Sequence, residues 1–213
     1  MKKRMGSLLL ALSVCAGLTV PATAAETAVT AEKPAAPFAD VAQDAYCYDA
    51  VLWAVEKGIT TGKTETTFVP NETCTIAHVL TFLWRANGSP EPTIENPFTD
   101  VSEEDYYYKA ALWAYEKELV SGNIFTPSGA CTRGQTMQFF YLLAGYPQVE
   151  LVPFDDVAPD SVYARAISWA VQQGITTGKT ETTFAPDELC TRGHIVTFLY
   201  RAAAAASEEQ VSA

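Results

Sequence analysis

The segment Gly-Ile-Thr-Thr-Gly-Lys-Thr-Glu-Thr-Thr-Phe occurs twice without change, at residues 58–68 and 174–184. Identity of that length does not recur by accident, so the fold must be one that repetition can build. Its sites then belong in several copies, or between copies, before a single cleft. Three landmarks set the register. Phe-x-Asp-Val begins at Phe38, Phe98 and Phe154; Trp-Ala stands at Trp53, Trp113 and Trp169; Cys-Thr begins at Cys74, Cys131 and Cys190. They recur every 56 to 60 residues. The middle copy diverges most. It has Glu118-Leu-Val-Ser-Gly122 where the others have Gly-Ile-Thr-Thr-Gly, and is three residues shorter before Phe125-Thr-Pro127. Repeats are assigned to 38–87, 98–144 and 154–202, with Pro-bearing linkers at 88–97 and 145–153 and a tail at 203–213.

Each repeat reads as helix, loop, helix. The first helix is expected over about 46–57, where Ala50, Val51, Trp53, Ala54 and Val55 are apolar on more than one side. Gly58 and Gly174 stand where a glycine stop is expected. The second helix begins at Cys-Thr. Val79, Phe82, Leu83 and Ala86, like Ile195, Phe198, Leu199 and Ala202, follow the i, i+3, i+4, i+7 pattern. No strand-like alternation appears. The expected class is mostly α, and one helix pair is too small to bury its own apolar face, so the three repeats should share a core.

The first residues read as an export signal, 1–24. Lys2, Lys3 and Arg4 precede an apolar run, and Ala22-Thr-Ala24 supplies the cleavage pattern. The run is too short for a membrane span, which needs about 20 residues. Residues 25–37 read as a flexible leader. Removing 1–24 leaves 11 Lys and Arg against 25 Asp and Glu, a net charge of −14. Such acidity argues against nucleic acid or anionic lipid as partners, and any anion must be held locally by placed cations. The mature protein is therefore expected to be exported and soluble.

No cofactor or metal site is expected: there is no Cys-x-x-Cys, and the chain has two histidines, His78 and His194. These read as surface or first-turn residues. Cys74, Cys131 and Cys190 hold equivalent positions and read as small buried side chains, with a Cys47–Cys74 bridge left open. Gly58-Ile-Thr-Thr-Gly62-Lys63-Thr64 is one residue short of a phosphate-binding loop and follows a helix instead of a strand. No catalytic constellation is visible, and an enzyme is not expected.

One motif asks for a ligand. Thr132-Arg133-Gly134-Gln135 and Thr191-Arg192-Gly193-His194 open the second helix of copies two and three. Thr caps a helix well. A cation in the first turn opposes the dipole by about 0.3–1 kcal/mol, and glycine lowers helix propensity. Arginine and glycine beside free backbone N–H groups describe an anion pocket, so Thr132, Arg133, Gly134, Thr191, Arg192 and Gly193 are the candidate ligand-binding residues. With no visible structural partner, Arg133→Ala and Arg192→Ala are expected to leave the melting temperature almost unchanged. Copy one has Thr75-Ile76-Ala77-His78 and should lack such a pocket. Lys63 is a lesser loop candidate.

Taken together, Phe-x-Asp-Val, the Trp-Ala helix, Gly-Ile-x-x-Gly, Phe-x-Pro and Thr-Arg-Gly resemble the S-layer homology domains of bacterial surface proteins, over about 38–202. The resemblance implies three helix-loop-helix repeats packed as a pseudo-threefold, three-lobed assembly. It also implies grooves between repeats that bind secondary cell-wall polysaccharide, often through a pyruvylated amino sugar. The family's binding arginine maps onto Arg133 and Arg192, and the usual Glu of the motif is His78, Gln135 and His194 here. The leading expectation is therefore non-covalent attachment to the cell wall. The competing one is a surface protein–protein scaffold or adaptor without glycan binding, with another surface protein as partner. A wall-active enzyme ranks last.

Overall fold

The computed structural model describes residues 37–211, with side chains through residue 207. The expected export signal, 1–24, and nearly all of the leader lie outside the described residues. Six helices are formed there: α1 Tyr48–Glu56, α2 Ile76–Ala86, α3 Tyr108–Glu116, α4 Arg133–Leu143, α5 Ala164–Gln172 and α6 Arg192–Val211. Extended structure is confined to isolated bridges, so the chain is mostly α, as three tandem repeats of this composition require.

The first helix of each repeat begins two residues later than its pattern suggests, because Ala42 and Ala45 close turns onto Ala45 N–H and Tyr48 N–H ahead of α1. It ends by a backbone closure in which Ile59 N–H donates back to the Ala54 carbonyl at 2.8 Å. That geometry needs a left-handed residue in between, and Gly58 supplies it at φ +68. Copy two makes the same closure, Leu119 N–H to Ala114 at 2.9 Å, with Glu118 at φ +58. The second helices start at a threonine cap. Thr75, Thr132 and Thr191 each accept from the backbone N–H three residues on and donate their own N–H to the side chain of His78, Gln135 or His194.

No repeat packs its own two helices together as the main pair. Instead α2 lies on α3, α4 on α5 and α6 on α1, so the second helix of each copy covers the first helix of the next, and copy three closes on copy one. The loops follow the same cycle. The first helical N–H of α2 donates to Gly129, that of α4 to Glu188 and that of α6 to Glu72, at 2.8–2.9 Å. At the centre, Cys74 N–H donates to Cys190, Cys190 to Cys131 and Cys131 to Cys74, at 2.7, 2.9 and 3.1 Å. The contacts therefore run from each copy to the next and from the last back to the first, and one buried cluster draws on all copies through Tyr48, Phe68, Leu83, Trp113, Met137, Ile167, Phe184 and Ile195. Cys47, Cys74, Cys131 and Cys190 are all free and buried, so the open Cys47–Cys74 bridge is not formed.

Phe-x-Asp-Val explains how the loop before each second helix is held. The two carboxylate oxygens of Asp40 accept from Phe68 N–H and Val69 N–H at 2.8 and 2.7 Å. Asp100 does the same for Phe125 and Thr126, and Asp156 for Phe184 and Ala185. The second residue of each pair, Val69, Thr126 or Ala185, sits at φ +56 to +59. That region is uncommon for any non-glycine residue and an outlier for β-branched Val69 and Thr126, so the carboxylate fork holds a strained corner. The corner aims the Phe68 and Phe184 carbonyls at the neighbouring repeat.

Candidate functional site

Those carbonyls are where the two motif arginines land. Arg133, the first residue of α4, leaves its own repeat and lies on the loop of copy three. Its Nε–H donates to the Phe184 carbonyl at 3.1 Å, and its guanidinium covers the Phe184 and Phe198 rings at 4.7 and 5.6 Å. Arg192, the first residue of α6, repeats this on copy one, with Nε–H to Phe68 at 2.7 Å and rings of Phe68 and Phe82 at 4.7 and 5.4 Å. Only 4% of Arg133 and 8% of Arg192 are exposed. Burial pulls both below the ordinary arginine value, which still leaves a charged group at neutral pH. Arg192 Nη2 is buried without a hydrogen-bond partner, a mismatch of about 1–3 kcal/mol that an incoming acceptor would remove.

Above Arg133 lies a cavity of about 340 Å³. Copy three lines one side with the loop residues Thr176 to Lys179 and with Glu188; α6 contributes His194, Thr197 and Arg201; copy one closes the rim with Tyr46. Lys179 is ion-paired to Glu188, which holds that carboxyl below its usual range. Tyr46 is 59% exposed and its ring lies 6.0 Å from that of His194. The same register positions surround Arg192. Lys63 is ion-paired to Glu72, Arg85 donates to the Ile59 carbonyl at 3.3 Å, and Tyr106, also 59% exposed, stacks on His78 at 6.0 Å. Each groove thus gathers three cations and one carboxylate in a chain whose formal charge is −11. At the third equivalent place the register puts Ile76, Asn123, Gly129, Leu142 and Val162. None is charged, and Ile76 Cδ1 would lie 3.1 Å from a side chain added at Gly129.

The structure reassigns the work of several motif residues. The backbone N–H groups at the helix starts are not free: Arg133 and Gly134 donate to Glu188 and Pro186, and Arg192 and Gly193 to Glu72 and Pro70. Thr132 and Thr191 are occupied as caps. Gly134 is needed because a Cβ there would come within 2.7 Å of Tyr163, and a Cβ at Gly193 would run into the Tyr46 hydroxyl. The expected pocket of open backbone donors is therefore replaced by one of side-chain cations, with Arg133 and Arg192 at its base. Arginine also has a structural partner after all, the carbonyl of the next repeat. Arg85, Arg201, Tyr46 and Tyr106 were invisible as site residues because each belongs to a different repeat from the arginine it faces. A signal did exist. Arg85 and Arg201 stand at the same register, where copy two has Leu142.

The S-layer homology domain matches this sequence at 37–76, 97–137 and 153–195, more than half of the chain. The chain belongs to the S-layer homology domain family. Domains of this family anchor proteins to the bacterial cell wall, which makes this a cell-surface or wall-associated protein. Over 200 residues the chain is 28% identical to an endoglucanase of Bacillus sp. (strain KSM-635), covering 89% of this chain and 21% of that protein. It is 26% identical to an amylopullulanase of Thermoanaerobacterium thermosulfurigenes (74% and 9% covered) and 24% identical to exoglucanase XynX of Acetivibrio thermocellus (79% and 16% covered). The chain therefore spans about a fifth or less of these curated relatives. Each S-layer homology repeat keeps its match across the Asp-clamped loop and into the second helix, the segment that builds the grooves. Among the described residues no helix is long and apolar enough to cross a membrane, and no group of three or more His, Cys, Asp and Glu could hold a metal ion.

Proposed function

We propose that the chain is a non-enzymatic attachment module that holds to the bacterial wall non-covalently. Its ligand is an anionic sugar of secondary cell-wall polysaccharide, such as a pyruvylated amino sugar, taken into the Arg133 and Arg192 grooves. The observation that carries this reading is a buried arginine joined by two further cations and an exposed tyrosine, twice, in an otherwise acidic protein. A carboxylate matches the charge, the threonines and lysine match sugar hydroxyls, and the tyrosine offers an apolar face to a ring. The third position has no cation and serves packing.

Sedimentation with purified wall sacculi tests the proposal. Binding should be strong with sacculi that keep their polysaccharide and lost when it is stripped. Arg133→Met with Arg192→Met should weaken binding by tenfold or more, since a charge-assisted hydrogen bond contributes about 1.5–3 kcal/mol. Undiminished binding to stripped sacculi would favour the scaffold reading, with a protein or the peptidoglycan itself as partner.

A further inference from the structure

Both histidines of the chain stand in the two cationic grooves. Their role there is not exhausted by helix capping. In copy two the same cap is made by Gln135, whose Oε1 accepts from Thr132 N–H at 2.9 Å. An imidazole is thus unnecessary for the fold at this register. Within this chain it occurs where the groove is cationic, and glutamine occurs where it is not. The cap also fixes the tautomer. His194 Nδ1 accepts from Thr191 N–H at 3.3 Å, and His78 Nδ1 from Thr75 N–H at 3.2 Å. In the neutral ring the proton is then on Nε2, which is left as a donor.

We propose that His194 and His78 are proton-linked ligand-binding residues of these grooves: each offers Nε2–H to the bound anion, and binding draws a proton onto the imidazole, so that wall attachment tightens as the pH falls. This rests on the function proposed above for the same grooves. Around His194 stand Arg133 from α4, Lys179 and Glu188 from the copy-three loop, Arg201 from its own helix and Tyr46 from copy one. Around His78 stand Arg192, Lys63, Glu72, Arg85 and Tyr106. Three cations against one carboxylate disfavour a further positive charge. Together with burial, Arg133 holds His194 down to about 4, and burial with Arg192 lowers His78. A ligand carboxylate adds the opposite charge at close range, which raises such a value by about 1–2 units in this partly exposed groove. Linkage then fixes the sign: the anion binds the protonated form better, in the window between the free and bound values. For His194, moving from about 4 to about 5–6, affinity in its groove rises about 3- to 25-fold between pH 7.5 and 4.5, and the His78 groove changes in the same direction. The cost of disturbing the cap is common to free and bound states and leaves the sign unchanged.

Two measurements decide. With only two histidines, NMR titration of their ring protons is read directly, free and with polysaccharide fragments released from sacculi. Both should titrate at least one unit higher with the fragments. In parallel, sedimentation with intact sacculi at pH 7.5 and 4.5 should show the 3- to 25-fold tightening for the wild type. His78→Gln with His194→Gln, which keeps the cap that Gln135 demonstrates, should lose that slope. Unshifted histidine titrations, or a glutamine variant that keeps the wild-type slope, overturn the proposal while leaving the grooves as binding sites. If Arg133→Met with Arg192→Met binds as the wild type does, the groove reading itself fails and this inference with it.

Discussion

Arg192→Ala should destabilise the protein, although its motif looks dispensable for folding. The side chain spans two repeats. Alanine removes a charged donor bonded at 2.7 Å to the Phe68 carbonyl, worth about 1.5–3 kcal/mol. It removes a guanidinium lying on the Phe68 and Phe82 rings, worth about 0.5–2 kcal/mol. Against this, it relieves the buried, unpartnered Nη2, about 1–3 kcal/mol. The void left between the two rings restores a further penalty of about 1–2 kcal/mol. The balance is a loss of about 2–3 kcal/mol. For a domain of this size that lowers Tm by roughly 5–10 °C. Among the described residues Arg133 strands no such nitrogen, so Arg133→Ala should fall at or beyond the upper end. Calorimetry on the purified chain reads both. Arg192→Met is the control, because its stem still packs on the rings while the donor is lost, and its drop should be at most half. Alanine variants melting within about 1 °C of wild type would refute the view that these arginines tie one repeat to the next. Because alanine confounds folding with binding, methionine is the proper probe of the ligand role.

Gly134→Ala should cost about 1–3 kcal/mol despite better helix propensity, because its Cβ meets the Tyr163 ring at 2.7 Å; denaturant unfolding checks this. Gly193→Ala meets the movable end of Tyr46, so it should hurt sacculus binding more than stability, and a reversed order would refute the assignment of Tyr46 to the groove rim. Glu118→Gly should raise stability by about 1 kcal/mol, since it removes a side chain from φ +58 at a helix end where the other copies use glycine; an unchanged or lower Tm counts against strain there. Acid should destabilise the free protein through His194. Its unfolded value is about 6.5 and its folded value about 4, so the unfolded state binds more protons between them. The contribution is whole above about pH 6.5 and is lost as the pH falls towards 4, by about 1–2 kcal/mol after allowance for solvent screening. A His194→Gln variant with the same stability loss over that window would show that another group is responsible.

Repetition, helix type and the starts of the second helices were fixed by local chemistry, and local chemistry is written in consecutive residues. Thr75, Thr132 and Thr191 cap wherever they stand, Gly58 and Gly174 end a helix in any context, and spacing of apolar residues shows which face must be buried. The arginines could be singled out for the same reason, as cations misplaced in a first turn. What covers each buried face is a different matter. A stripe on α2 is equally satisfied by α1 or by α3, and the choice of α3 depends on how all three copies close around Cys74, Cys131 and Cys190. That choice decides everything about the grooves. It brings Arg192 to the loop held by Asp40, sets Arg85 and Tyr106 beside it, consumes the backbone donors that seemed open, and turns Gly193 from a ligand's approach into room for Tyr46. Residues more than a hundred positions apart meet there, and no local preference encodes their meeting; only the packing of one repeat against the next does.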